Sequence, residues 1–148
     1  MLQRRGQPSV DEISRWLEYI SQNLHYPQSR LGYNHWQLII TTNPIAKTYP
    51  LDIKDHGEWV SYGTSLGHDV TGPGRVVFYK YLLNLNAQLN SVHIGIEDGR
   101  VVLTGEYRKE NLDFRSFAHN IALIDNAFQV TYPLVLEEIK RLGLRFNK

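Results

Sequence analysis

Apolar positions recur along this chain in two rhythms, one of three to four residues and one of two. From Val10 the residues Ile13, Trp16, Leu17, Ile20 and Leu24 keep the spacing of an amphipathic helix. Ser9 stands three residues before Glu12, a capping-box spacing, and Pro27 follows the last apolar position. The helix is therefore expected to begin near Ser9 or Asp11 and to end near Leu24. Residues 25–34 are rich in turn formers and read as a loop. The rhythm then shortens to two. Residues 36–42 read as a strand stopped by Asn43-Pro44. Residues 48–54 alternate Tyr49, Leu51 and Ile53 with polar positions, and residues 59–66 return after Asp55-His56-Gly57. Pro50 argues for an edge position or a bulge in the second of these strands.

After a second helical stretch, Val92, Ile94 and Ile96 alternate with His93 and Gly95. Asp98-Gly99 signals a tight hairpin, and residues 100–107 form a fifth strand. A last helix is expected from Asn111 or Asp113. Its apolar positions run from Phe114 through Phe117, Ile121, Phe128 and Val135 to Leu142 without losing register. That register predicts a kink at Pro133 rather than a break. Gly143 suits the position just past the helix, and Lys140 and Arg141 suit its negative end. The element order is αβββαββα, an α+β chain with a five-stranded, mostly antiparallel sheet.

Residues 75–89, RVVFYKYLLNLNAQL, carry more apolar residues than one helix face can use. At about 100° per residue, Phe78, Tyr81, Leu82, Leu85 and Leu89 share one side. Val76, Leu83 and Ala87 share nearly the opposite side, with Tyr79 at its margin. The larger side is expected to pack on the protein's own sheet. The smaller side, Val76, Tyr79, Leu83 and Ala87, is expected to meet a second copy of the chain in a homodimer.

Composition narrows the function classes. The chain has 148 residues, of which 42% are hydrophobic and 21% charged, as in an ordinary soluble domain. Residues 1–8 read as a loose tail and residues 9–148 as a single domain. The formal net charge of +1 supplies no field for nucleic acid or an anionic membrane. The absence of cysteine excludes a disulfide framework, a thiolate nucleophile and a cysteine-ligated zinc. No window approaches the roughly 18 apolar residues of a membrane span, and the apolar stretch of a signal peptide is missing after Arg4-Arg5. Cytoplasmic localisation and no membrane insertion are the expectation.

From Tyr81 onward the sequence resembles the YbjN family of small bacterial proteins. The matching stretches are YLLNLNAQL (81–89), IGIEDGRVVLTGEY (94–107) and NLDFRSFAHNIALIDNAFQVTYPLVLEEI (111–139). The first half of the chain matches in element order. The resemblance implies the fold of class I type III secretion chaperones: helices against one curved antiparallel sheet, often paired as dimers through the central helix. It implies binding of other protein segments, with no catalysis and no cofactor.

Candidate chemistry is sparse. The six histidines form no HExxH or comparable metal-ligand spacing, and His56, His68 and Asp69 read as solvated loop residues. Glu97-Asp98 and Glu137-Glu138 read as solvated carboxylates, and the terminal Arg4, Arg5, Lys140, Arg141, Arg145 and Lys148 as helix-end and tail charges. No catalytic, metal or cofactor residue is assigned. Ile39 and Trp59 are expected on the sheet face that the helices leave open, with His93 as a surface or groove residue, where an unidentified protein or peptide could bind. The other reading is a small-anion or ligand regulator, with Gly72, Gly74 and Arg75 holding the anion before the central helix.

Overall fold

The computed structural model describes residues 6–43 and 47–146. Arg4, Arg5, Pro44 and Lys148 lie outside the described residues. The elements are α1 (Val10–Leu24), β1 (Gln28–Gly32), β2 (His35–Thr42), β3 (Lys47–Asp55), β4 (Trp59–His68), β5 (Val70–Thr71), α2 (Arg75–Asn86), β6 (His93–Glu97), β7 (Arg100–Arg108), α3 (Phe114–Arg141) and β8 (Arg145–Phe146). The chain is α+β with a mostly antiparallel six-stranded sheet in the order β1-β2-β3-β4-β7-β6, and a two-stranded ribbon of β5 and β8. The sixth strand is β1, inside the stretch read as a loop. It is an edge strand whose last four residues are all exposed, so no alternation betrays it. Its Gln28 pairs with Leu38 and its Arg30 with Trp36. The Arg30 guanidinium lies 5.6 Å from the Trp36 ring centroid, doing the covering that an apolar side chain would otherwise do.

The chain forms two compact units: residues 1–62 with 106–122, and residues 63–105 with 123–148. In the first, α1 starts on the predicted capping box. Glu12 N–H donates to Ser9 Oγ at 3.1 Å and Ser9 N–H to Glu12 Oε1 at 3.3 Å. It ends at His25, whose φ of 57° is left-handed. Ile13, Leu17 and Ile20 bury its apolar stripe, and Ser14 Oγ accepts from the buried Trp36 indole at 3.3 Å. Trp36, Leu38 and Ile40 of β2 and Leu51 and Ile53 of β3 form the inner sheet face. Pro50 pairs with Ile39 in an unbroken β2–β3 register, and β3 is interior in the strand order. It is thus neither at an edge nor in a bulge of that pair, and an interior ladder does without one donor. Tyr62, Tyr107 and Phe117 stack edge-on and tilted, with ring centroids 5.3 and 5.7 Å from Tyr62. Lys109 donates to Asp55 in a buried ion pair, and Asp55 Oδ1 also accepts from Gly57 N–H at 2.8 Å.

In the second unit, Phe78, Leu82 and Leu85 of α2, Val92 and Ile94 around β6, Leu103 of β7 and Ile124, Phe128 and Val135 of α3 are buried. The β6–β7 hairpin turns through Asp98 and Gly99, with φ of 51° and 71°. Positive φ at both central residues is what a two-residue hairpin turn needs. Ile96, in phase with Val92 and Ile94, is 40% exposed beside that turn. The helical turns of α2 tighten after Asn86: Ala87, Gln88 and Leu89 N–H donate to carbonyls three residues back. The regular helix therefore stops three residues short of the sequence expectation. Helix α3 continues through Pro133. It ends in a Schellman motif, with Gly143 at φ 66°, its N–H on Lys140 O and Leu144 N–H on Ile139 O.

Candidate functional site: the open side of the central helix

Helix α2 separates its two apolar sides. Phe78 is fully buried, and Leu82 and Leu85 nearly so, whereas Val76 is 67% and Leu83 69% exposed. Val77 adds to the exposed side. Tyr79 is half-buried, and Ala87 is exposed at the helix's C-terminal cap. The four residues assigned from the sequence to a dimer face thus share a helix whose opposite side is core. Lys80 and Asn84 lie exposed along it.

Both ends of α2 are held. At its start Asp69 is buried and its carboxylate gathers three donors. Val70 N–H lies at 2.7 Å, Arg75 Nη2 at 2.8 Å and the Tyr79 hydroxyl at 2.8 Å. Arg75 Nε also donates to the Tyr79 hydroxyl oxygen at 2.6 Å. Burial by itself would raise the Asp69 pKa. The hydrogen bonds from Tyr79, the Val70 amide and Arg75, with the arginine's charge, outweigh it and hold the carboxyl below its ordinary range. At the far end the Asn86 side chain accepts from Ile94 N–H at 2.7 Å and donates to Ile94 O at 2.8 Å, splicing α2 to β6. A helix pinned at both ends presents Val76 and Leu83 in a fixed geometry. Asp69 was read as a solvated loop residue, and the structure corrects this: no spacing distinguishes such a carboxylate from a turn aspartate.

The remaining sequence candidates are dispersed. Ile39 is half-buried, and Trp59 is 40% exposed with the Arg108 guanidinium 5.6 Å from its ring centroid. Both belong to the less covered side of their strands in the first unit. His93 is exposed in the second unit, paired in register with Thr104. Two polar pairs that spacing did not suggest also occur on the first unit's strands and turns. His35 Nε2 meets Asp52 Oδ1, and His56 Nε2 meets Ser61 Oγ, each at 2.8 Å. The serine–histidine pair lacks the geometry of a triad. The neighbouring Asp55 carboxylate points inward to Lys109 and the Gly57 amide. A shallow cleft of about 420 Å³ is lined by Asp11, Arg30, Leu31, Gly32 and Tyr33. Among the described residues no group of three or more His, Asp or Glu side chains could hold a metal ion, and no helix is long and apolar enough to cross a membrane.

Arg75 is committed to Asp69 and Tyr79, and Gly72 and Gly74 face Leu144 and Leu142. An anion there would have to compete with a buried carboxylate for the same arginine.

No family model matches the sequence, and no curated protein matches it. Solved structures do match in fold. YbjN from E. coli, described as a candidate transcription regulator, superposes with a TM-score of 0.62 at 12% identity, covering 97% of this chain and 99% of YbjN. A chain of the ExsC–ExsE complex gives 0.57 at 16% identity, over 80% of this chain and 90% of its own length. A chain of the heterodimeric ExoU–SpcU complex from the type III secretion system of Pseudomonas aeruginosa gives 0.53 at 21% identity, over 82% and 96%. The protein has the YbjN fold, which is also that of type III secretion chaperone-like chains.

Proposed function

We propose that this protein is a non-catalytic protein-binding adaptor that works as a homodimer, with Val76, Tyr79, Leu83 and Ala87 of α2 at the dimer face and an extended segment of a partner protein as its cargo. The observation that carries the reading is the exposure of Val76 and Leu83 on a helix whose other side is core. Apolar side chains that exposed, fixed on a helix tethered at both ends, gain most from a second apolar surface. Two of the similar folds come from complexes with another protein, which supports a binding role. Ile39 and Trp59 of the first unit are proposed contacts for the partner, Trp59 as a half-exposed aromatic anchor, and His93 of the second unit is proposed separately as a contact. The protein is proposed to act in the cytoplasm.

Sedimentation equilibrium of the full chain tests the dimer. A mass near twice the 17.2 kDa of one chain is expected at micromolar concentration. A monomer across that range would remove the homodimer from the proposal.

A further inference from the structure

The open side of α2 is spaced symmetrically about Leu83. Tyr79 stands four residues before it and Ala87 four residues after. Leu83 and Ala87 are exposed and Tyr79 is half-buried. At about 1.5 Å per residue, Tyr79 and Ala87 each lie about 6 Å along the helix from Leu83. The bulkiest and the smallest of the four residues on that side are therefore equally far from its centre. A second α2 laid antiparallel across the first, with a two-fold axis at Leu83, sets leucine on leucine. It also seats each tyrosine over the other copy's alanine.

The polar groups beside this stripe need nothing from a partner. The Tyr79 hydroxyl donates to Asp69 and accepts from Arg75, and the Arg75 charge is met by the Asp69 carboxylate. Covering the tyrosine ring therefore strands neither a donor nor a charge. Lys80, exposed on the flank of the stripe, chooses between two registers. The rival register sets Val76 on Leu83, puts the axis between Tyr79 and Lys80, and brings the lysines of the two copies face to face. The axis at Leu83 holds those lysines about 9 Å apart along the helices, so neither meets a like charge at the centre of the interface.

We propose that two copies of this chain pair with their α2 helices antiparallel, the two-fold axis at Leu83, and Tyr79 of each copy over the partner's Ala87. The inference rests on the homodimer reading above and adds to it the register of the two helices. The occupant is a second copy because the stripe is self-complementary. A large residue four positions before the centre and a small one four positions after it fit the same stripe reversed.

Oxidative cross-linking of single-cysteine variants of the full chain tests the register, since the chain has no cysteine of its own. Leu83→Cys, Lys80→Cys and Ala87→Cys all alter exposed positions. Each is oxidised at a concentration at which its reduced form sediments as a dimer. A disulfide needs Cα atoms within about 7 Å of each other. With the axis at Leu83, the two cysteines of Leu83→Cys meet, while those of Lys80→Cys and Ala87→Cys stand about 9 and 12 Å apart along the helices. Leu83→Cys is therefore expected to form a covalent dimer about tenfold or more faster than either of the others. An equimolar mixture of Tyr79→Cys and Ala87→Cys should yield the mixed covalent dimer, which Ala87→Cys alone does not. Faster cross-linking by Lys80→Cys selects the rival register and overturns the proposal. Equal rates for all three report random collision and also overturn it. Should Leu83→Cys no longer dimerise, the mixed pair decides in its place, and its failure to cross-link faster than Ala87→Cys alone overturns the register. A wild type that sediments as a monomer removes the homodimer and the register together. A dimeric wild type with another cross-linking pattern keeps the homodimer and removes the register alone.

Discussion

The Tyr79 hydroxyl donates to the Asp69 carboxylate at 2.8 Å, and Arg75 reaches the same carboxylate from one helical turn earlier, also at 2.8 Å. The start of α2 is thereby fastened to the residue before β5 by a buried charge. Asp69→Asn keeps the shape and removes the charge. It is expected to cost about 1.5–3 kcal/mol at pH 7, the range for hydrogen bonds to a charged group. The sign of the pH dependence follows from the lowered pKa. The stabilisation is complete above the unfolded-state value, about pH 4, and is lost as pH falls through the folded-state value. Urea unfolding between pH 7 and pH 3 should therefore show wild type and Asp69→Asn converging at the acid end. Parallel curves would show that Asp69 is not the titrating group.

The buried Lys109–Asp55 pair predicts a large asymmetry. Lys109→Met leaves Asp55 buried with its charge uncompensated, a loss of about 3–5 kcal/mol. Adding Asp55→Asn to that variant should recover part of the loss, because the stranded charge is gone. A double-mutant cycle by denaturant unfolding measures the coupling. Additive costs would mean that the two side chains do not share one buried pair.

Trp36 and Trp59 should respond very differently to truncation. Trp36 is fully buried, and its replacement by Ala is expected to cost about 3–5 kcal/mol. Trp59 is 40% exposed under Arg108, so Trp59→Ser should cost about 1 kcal/mol, the cation–π contribution and some contact area. Chemical denaturation midpoints read both. A cost at Trp59 as large as at Trp36 would place Trp59 in the core and remove it from the partner-binding surface.

The strongest structural signals were legible because they repeat. The assignment of Phe78, Leu82 and Leu85 to the core side of α2, and of Val76 and Leu83 to the other side, follows from angular position alone and agrees with the burial. The Ser9–Glu12 cap and the Asp98-Gly99 turn are local chemistry, and both formed where expected. Strand β1 was invisible because an edge strand with exposed side chains carries no hydrophobic rhythm. Gly67 and Gly72 stand against Phe146 and Leu144, some seventy residues later in the chain, a long-range contact that no periodicity encodes. The role of Asp69 is hidden for a different reason: its partners Val70, Arg75 and Tyr79 are close in sequence, but its burial comes from packing, and the sequence reading gives Arg75 to an anion and Tyr79 to the dimer face.

The central claim is that the smaller side of α2 is an interface, and the paired variants Leu83→Glu and Leu82→Glu in sedimentation velocity test it most directly. Burying a leucine contributes about 1.5–3 kcal/mol, and a symmetric interface counts Leu83 twice. Leu83→Glu would bring two like charges to the dimer axis without partners. The account predicts a dimeric wild type, a monomeric Leu83→Glu with unchanged far-UV circular dichroism, and a Leu82→Glu that fails to fold. A Leu83→Glu that stays dimeric, or a wild type that is monomeric at micromolar concentration, would contradict it.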